Sequence, residues 1–266
     1  LLVQWLLRSS VALVGLFLLA CALRYSSRHF LFPVSEVPQG QQPEGFSELV
    51  VQAADGVAAR ALVLPTDASA TTLIYFHNNR ETAATRSELA RVLAGHGVST
   101  VLVEYRGYGR SQGVEPSETG LYLDAEAILN ELVRRGVGKA EMVLWGTSLG
   151  TGVAAEMARR GWGARLILEA PYTSIPDLVQ DSVPLAPATW LVRDHFDTLS
   201  KSTEIRLPTL VIHGDQDEIV PFWMGQRLAR QLPDATLLCV PGAHHGDLFS
   251  YAGTSLVERI ASFSRG

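Results

Sequence analysis

The run Trp145-Gly146-Thr147-Ser148-Leu149-Gly150 sets a Gly-x-Ser-x-Gly pattern between a short apolar segment, Met142–Trp145, and a helical pattern, Leu149–Arg160. A strand that feeds directly into a helix is the unit from which α/β sheets are built. A serine on such a turn is held in a strained backbone conformation with its hydroxyl projecting from the sheet. The two glycines leave the room that so tight a turn needs. The amides that follow, at the amino end of the helix, face the same point and can stabilise a developing oxyanion.

The rest of the chain repeats this alternation. Phe46–Gln52 and Ala58–Leu64 flank Asp55-Gly56, the turn signal of a hairpin. Thr71–Phe76, Val98–Val103, Leu166–Glu169, Thr209–His213 and Thr236–Val240 read as buried strands. Between or after them Glu81–Gly95, Glu118–Arg135, Phe222–Gln231 and Val257–Phe263 carry helical spacing. Strands alternating with helices predict right-handed crossovers and a mostly parallel central sheet with helices on both faces, edged by the antiparallel hairpin. One stretch breaks the rhythm. Residues 172–205, with Pro176, Pro184 and Pro187, are too long for a simple connection and read as a small lid insertion of short helices over the strand ends. At 266 residues, 47% hydrophobic and 18% charged, the chain can bury a full core and is not disordered. Its net charge of −5 argues against a nucleic-acid partner. Cys21 and Cys239 are too few for a disulfide framework and lack metal-ligand spacing.

Much of the hydrophobicity lies at the front. Residues 1–23 carry Arg8 as their only charge, and the uninterrupted stretch from Val11 to Leu23 is 13 residues, short of the roughly 20 that cross a bilayer. Two membrane readings follow. One is a single N-terminal anchor, followed by Arg24 and Arg28. The other is a lipoprotein signal, with Arg8 as the basic region and Leu18-Leu19-Ala20-Cys21 resembling a lipobox that ends in a lipidated Cys21. Arg8 and the later arginines favour opposite orientations, so the side of the membrane stays open. The division is therefore residues 1–32 as anchor or signal segment, 33–45 as a Pro/Gly/Gln-rich linker, and 46–266 as the main domain.

A nucleophilic serine needs a base, and the base needs an orienting carboxylate. His213-Gly214-Asp215-Gln216-Asp217 and Gly242-Ala243-His244-His245-Gly246-Asp247 each follow a strand, on the edge that carries Ser148. These clusters, with Tyr75-Phe76-His77-Asn78-Asn79, the run from Glu104 to Gly113, Gly146–Gly150 and Val220-Pro221, give a chain that from Thr71 to Leu248 resembles the alpha/beta-hydrolase superfamily. The likeness is to its membrane-anchored branch of acyl-protein depalmitoylases and serine-aminopeptidase-like hydrolases. The resemblance implies Ser148 as nucleophile, Asp217 rather than Asp215 as acid, and His245 as base with His244 as the alternative. It implies the backbone amides of Leu149 and Asn79 as oxyanion donors. Asn78 stands where the family has glycine, and asparagine tolerates left-handed torsions.

The expected function is a membrane-attached serine hydrolase that cleaves carboxylic esters or thioesters of small-molecule or acylated substrates through an acyl-enzyme. It requires no metal and no organic cofactor. A non-catalytic binding protein of the same fold, or a serine peptidase acting on small peptides, is the competing reading. Arg106 and Tyr108 read as loop braces, His213 as a structural residue, and Cys239 as an inert core residue. Trp162, Trp190 and Trp223 read as packing rather than pocket. Gly107-Tyr108-Gly109 fails the dinucleotide spacing because position 112 is Gln.

Overall fold

A computed structural model describes residues 19–34, 41–66, 71–184 and 187–266. Residues 1–18 of the expected anchor and 35–40 of the expected linker lie outside the described residues. Among the described residues no helix is long and apolar enough to cross a membrane.

Eight strands form one sheet: β1 (Ser47–Gln52), β2 (Ala58–Leu64), β3 (Thr72–Phe76), β4 (Ser99–Glu104), β5 (Met142–Thr147), β6 (Arg165–Glu169), β7 (Thr209–Gly214) and β8 (Ala235–Val240). Their spatial order is β1-β2-β4-β3-β5-β6-β7-β8. β1 and β2 form the hairpin and β2 lies antiparallel to β4. From β4 to β8 the neighbours are parallel. The chain runs from β3 outward to β4, then returns to place β5 on the other side of β3. The order therefore reverses at β3/β5, and open α/β sheets bind ligands at the carboxyl ends flanking such a reversal.

The sheet separates two cores, as period-two alternation requires. Ile74, Phe76, Leu144 and Leu168 face one side with Leu129 of α3 (Glu118–Arg134), Val153 of α4 (Leu149–Arg159) and Met224 of α8 (Phe222–Gln231). Leu73, Tyr75, Trp145, Ile167 and Ile212 face the other, with Leu93 of α2 (Ser87–Gly95) and Ile260 of α9 (Leu248–Arg265). The central strands are buried on both faces, which is why they read as continuous apolar runs.

Three elements differ from the sequence reading. The helix expected from Glu81 begins as a 3-10 turn, Ala83–Arg86, and becomes α-helical only at Ser87. The last helix starts nine residues earlier than its apolar periodicity suggests, at Leu248, and Gly253 breaks it with a φ of 58°. Cys239 is only partly buried, because β8 is an edge strand. Residues 172–205 form short helices: α5 (Ile175–Ser182), α6 (Ala188–Leu191) and α7 (Thr198–Lys201). Ahead of the sheet the described part of a helix, α1, spans 19–31, and Phe32, the last residue of the expected anchor or signal segment, is buried in the first core. Arg106 ties loops together, donating to Asp124 at 2.7 Å and to Asp55 at 2.6 Å.

Candidate active site

Ser148 follows β5 at the sheet's reversal point, with a φ of 50° and a ψ of −116°. A non-glycine residue in this region stores about 1–3 kcal/mol of strain, tolerated only where the surroundings enforce it. They do so here. A Cβ on Gly146 would collide with the Gly150 carbonyl, and one on Gly150 would collide with the Phe76 carbonyl of β3. The turn is also pinned from β6, since the Ser148 amide donates to the Glu169 carbonyl at 2.8 Å. Beneath it the Glu169 carboxylate accepts from Trp145 Nε1 and Thr147 Oγ1, each at 3.0 Å. Burial pushes the Glu169 carboxyl up, against the lowering effect of the Arg86 guanidinium.

Gly150→Ala is therefore expected to lower stability at the upper end of the roughly 1–3 kcal/mol that overpacking costs. Gly95→Ala, where a Cβ meets open space, is expected to leave stability unchanged or raised. Urea midpoints of the two variants check this, and equal midpoints would contradict the tight elbow.

The three separated clusters meet. The Ser148 hydroxyl donates to His245 Nε2 at 3.0 Å, and His245 Nδ1–H donates to Asp217 Oδ2 at 2.8 Å. Asp217 has a fully buried side chain, while that of His245 is 19% exposed. Asp217 Oδ1 accepts the amides of Ile219 at 2.9 Å and Val220 at 2.8 Å, fixing the carboxylate in the loop after β7. The loops after β7 and β8 are tied by the Gln216 amide, which donates to the Ala243 carbonyl at 3.1 Å.

The alternatives go elsewhere. Asp215 Oδ1 accepts the Gly242 amide at 2.7 Å, bracing the histidine loop. His244 Nδ1 lies 2.9 Å from Glu218 at the surface, and that hydrogen bond holds its pKa above the usual value.

His213 does more than close its strand. Its Nε2 lies 3.2 Å from Asp217 Oδ2 and 2.9 Å from the Val220 carbonyl, both acceptors, so Nε2 carries the proton. Its Nδ1 is buried without a partner. Asp217 Oδ2 thus accepts from two imidazoles. Burial would push the Asp217 carboxyl up, but bonds from His213 and His245, with the Val220 amide, outweigh it and hold it well below the usual carboxylate range. The sequence shows only a histidine four residues before the acid, and no local pattern announces the bond.

The two expected oxyanion amides follow neighbouring strands, β5 and β3. Leu149 is the first residue of α4, and amides at that position have no intrahelical acceptor. Asn79 follows β3, the strand paired with β5. Its carbonyl accepts the Tyr108 hydroxyl at 3.1 Å and its side chain donates to the Leu31 carbonyl at 3.0 Å, so the loop is clamped from two sides. Trp190 and Trp223 lie at the surface, and Trp162 is buried under the Lys139 ammonium.

Residues 67–201 match the serine aminopeptidase S33 family, and residues 179–263 match the TAP-like protein family. An uncharacterised protein of Mycobacterium tuberculosis is 32% identical over 220 residues, covering 81% of this chain and 78% of that one. Protein bem46 of Schizosaccharomyces pombe is 31% identical, covering 80% of this chain and 77% of its own. The lysophosphatidylserine lipase ABHD12 of Danio rerio is 32% identical, over 59% of this chain and 46% of its own. Among solved structures an esterase of Pyrococcus furiosus superposes with a TM-score of 0.71 at 16% identity, covering 86% of this chain and 96% of that one. The chain belongs to the alpha/beta-hydrolase superfamily. That membership supports hydrolase activity.

Proposed function

We propose that the chain is a serine hydrolase that cleaves carboxylic esters or thioesters by two-step acyl transfer. The observation that carries this reading is the continuous relay from Ser148 through His245 to Asp217, beginning on a strained elbow. His245 Nε2 takes the Ser148 proton as Oγ attacks the carbonyl carbon. Asp217 holds the ring with Nδ1 protonated and stabilises the imidazolium that forms. The Leu149 and Asn79 amides receive the oxyanion; removing one such donor typically costs about 2.7–4 kcal/mol of barrier. The leaving alcohol or thiol departs with the proton from Nε2. Water, deprotonated by His245, then attacks the acyl-Ser148 ester and releases the acid.

The esterase and lipase among the relatives support this chemistry. A serine aminopeptidase would need a free carboxylate to hold the substrate's ammonium. Asp194, the acidic residue of the cavity that Asn79 also lines, is already bound to Arg28 at 2.7 Å. A fluorophosphonate probe tests the reading: labelling that vanishes in Ser148→Ala supports it, and folded wild-type protein that takes no label overturns it.

His213 is a positioning residue that acts through Asp217. Because the acid's pKa is depressed, the carboxylate stays charged from neutral pH down past its ordinary value of about 4. Its contribution to stability is present above that value and is lost as pH falls further, through the folded-state pKa. Asp217 therefore stays ionised across the acid limb of log kcat/KM, which is expected to have unit slope. In His213→Phe the carboxylate loses a donor and its pKa rises, so the limb steepens and shifts upward. His213→Gln, which keeps an N–H donor, restores the wild-type shape. Identical profiles for all three proteins would reduce His213 to a packing role.

Residues 1–23 are proposed as the membrane-attaching segment, either as an anchor or through a lipidated Cys21. Release of the full chain from membranes by alkaline carbonate would contradict both forms.

A further inference from the structure

The described part of α1 is seated on the lid. The Arg28 guanidinium donates to the Asp194 carboxylate at 2.7 Å, and Arg24 donates to the Trp190 carbonyl. Phe32 packs edge-on against Phe196, with ring centroids 6.3 Å apart. Between α1 and the lid helices lies a cavity of about 390 Å³. Leu23, Phe30 and Leu31 wall it from α1, and Leu178, Val179 and Leu191 wall it from α5 and α6.

The polar residues lining this cavity already have partners. Asp194 is bound by Arg28 and by the Glu118 amide at 2.8 Å, and the Ser27 hydroxyl donates to the Arg24 carbonyl at 2.8 Å. A polar ligand would lose hydration there without recovering it. An aliphatic chain loses nothing and gains by each methylene it buries. The remaining polar residue is Asn79, which borders the cavity and follows β3 at the sheet's reversal point, beside the elbow. A chain lying in the cavity therefore reaches the loop that carries the expected oxyanion amide of Asn79.

We propose that this cavity is an acyl-chain site for an unbranched aliphatic chain, with α1 as one of its walls. The proposal rests on the hydrolase reading and deepens it. It also gives residues 19–32 a role separate from membrane attachment: they close the site and, through the bond from Asn79 to the Leu31 carbonyl, hold the oxyanion loop. A chain shortened to begin at residue 33 loses both the wall and that acceptor.

The test uses the full chain and a series of nitrophenyl esters from acetate to dodecanoate. The expected kcat/KM rises about fourfold per methylene until the cavity is filled. Leu178→Trp, and separately Leu191→Trp from the other lid helix, are expected to cut the best long-chain rate about 30-fold while leaving acetate within about twofold. Two variants on different helices guard against one that fails to fold. A second readout needs no turnover: Ser148→Ala protein is expected to bind decanoate with a negative heat-capacity change, and to lose that binding when Leu178→Trp is added. Turnover that is flat across chain length, or lost equally on every ester in both tryptophan variants, overturns the cavity assignment and leaves the hydrolase reading intact. Decanoate binding without any ester turnover supports the cavity and overturns the hydrolase reading.

Discussion

Ser148→Ala is expected to lower kcat for ester hydrolysis by about 10^6-fold while the protein stays folded, with Tm within about 3 °C of wild type. The size follows from the arrangement. Removing Oγ removes the atom that bonds to the substrate, and His245 is left with no hydroxyl to deprotonate. The fold is spared because the elbow is held by its backbone: the Ser148 amide on the Glu169 carbonyl, and the close approach of Gly150 to β3, do not involve the hydroxyl. Stopped assays on a short-chain nitrophenyl ester, paired with thermal melts, give the answer. A variant that keeps a tenth of the wild-type rate would assign the hydrolysis to another group.

Asp217→Asn should follow at about 10^4-fold in kcat, again with the geometry retained. Asparagine has the same shape, but its amide nitrogen is a donor where Asp217 offers two acceptor oxygens. Both imidazoles press N–H groups onto Oδ2, so the amide oxygen has to face them. Its nitrogen then meets the Ile219 and Val220 amides, donor against donor. Either orientation leaves two unmatched contacts, and a flipped amide turns His245 to the tautomer that cannot accept the Ser148 proton. The discriminating controls are Asp215→Asn and His244→Ala. Asp215 braces a loop, and His244 pairs with Glu218 at the surface, so both variants are expected to stay within about fivefold of wild type. Steady-state kinetics on the three proteins separate the roles, and an Asp215 variant as impaired as the Asp217 one would move the acid to the wrong residue.

The parts of this arrangement that were legible beforehand are those set by local backbone chemistry. Two glycines around Ser148, flanked by an apolar run and a helical pattern, leave a strand-to-helix elbow as the conformation that fits. The double burial of β3 to β7 makes their side chains continuously apolar, so a mostly parallel sheet covered on both faces could be read. Where two residues of one type stood side by side, as with Asp215 and Asp217 or His244 and His245, spacing could not choose by itself. The resemblance chose; Asp217 and His245 hydrogen-bond to each other, while Asp215 meets the Gly242 amide and His244 meets Glu218.

What stayed hidden depends on contacts distant in sequence. Arg28 finds Asp194 across 166 positions, and nothing in the pattern of residues 19–32 announces that they lean on the lid. His213 looks like the end of a strand until Asp217 folds back onto its ring. The early start of α9 was masked because Gly253 interrupts its apolar stripe.

The most direct measurement is the mass of the protein after rapid mixing with nitrophenyl hexanoate and acid quench, followed by peptide mapping. A hexanoyl adduct on the peptide that contains Ser148, absent from Ser148→Ala and from His245→Ala, is the predicted result. Ester turnover at full rate with no adduct at any time point, or an adduct on another residue, would contradict acyl transfer through this serine.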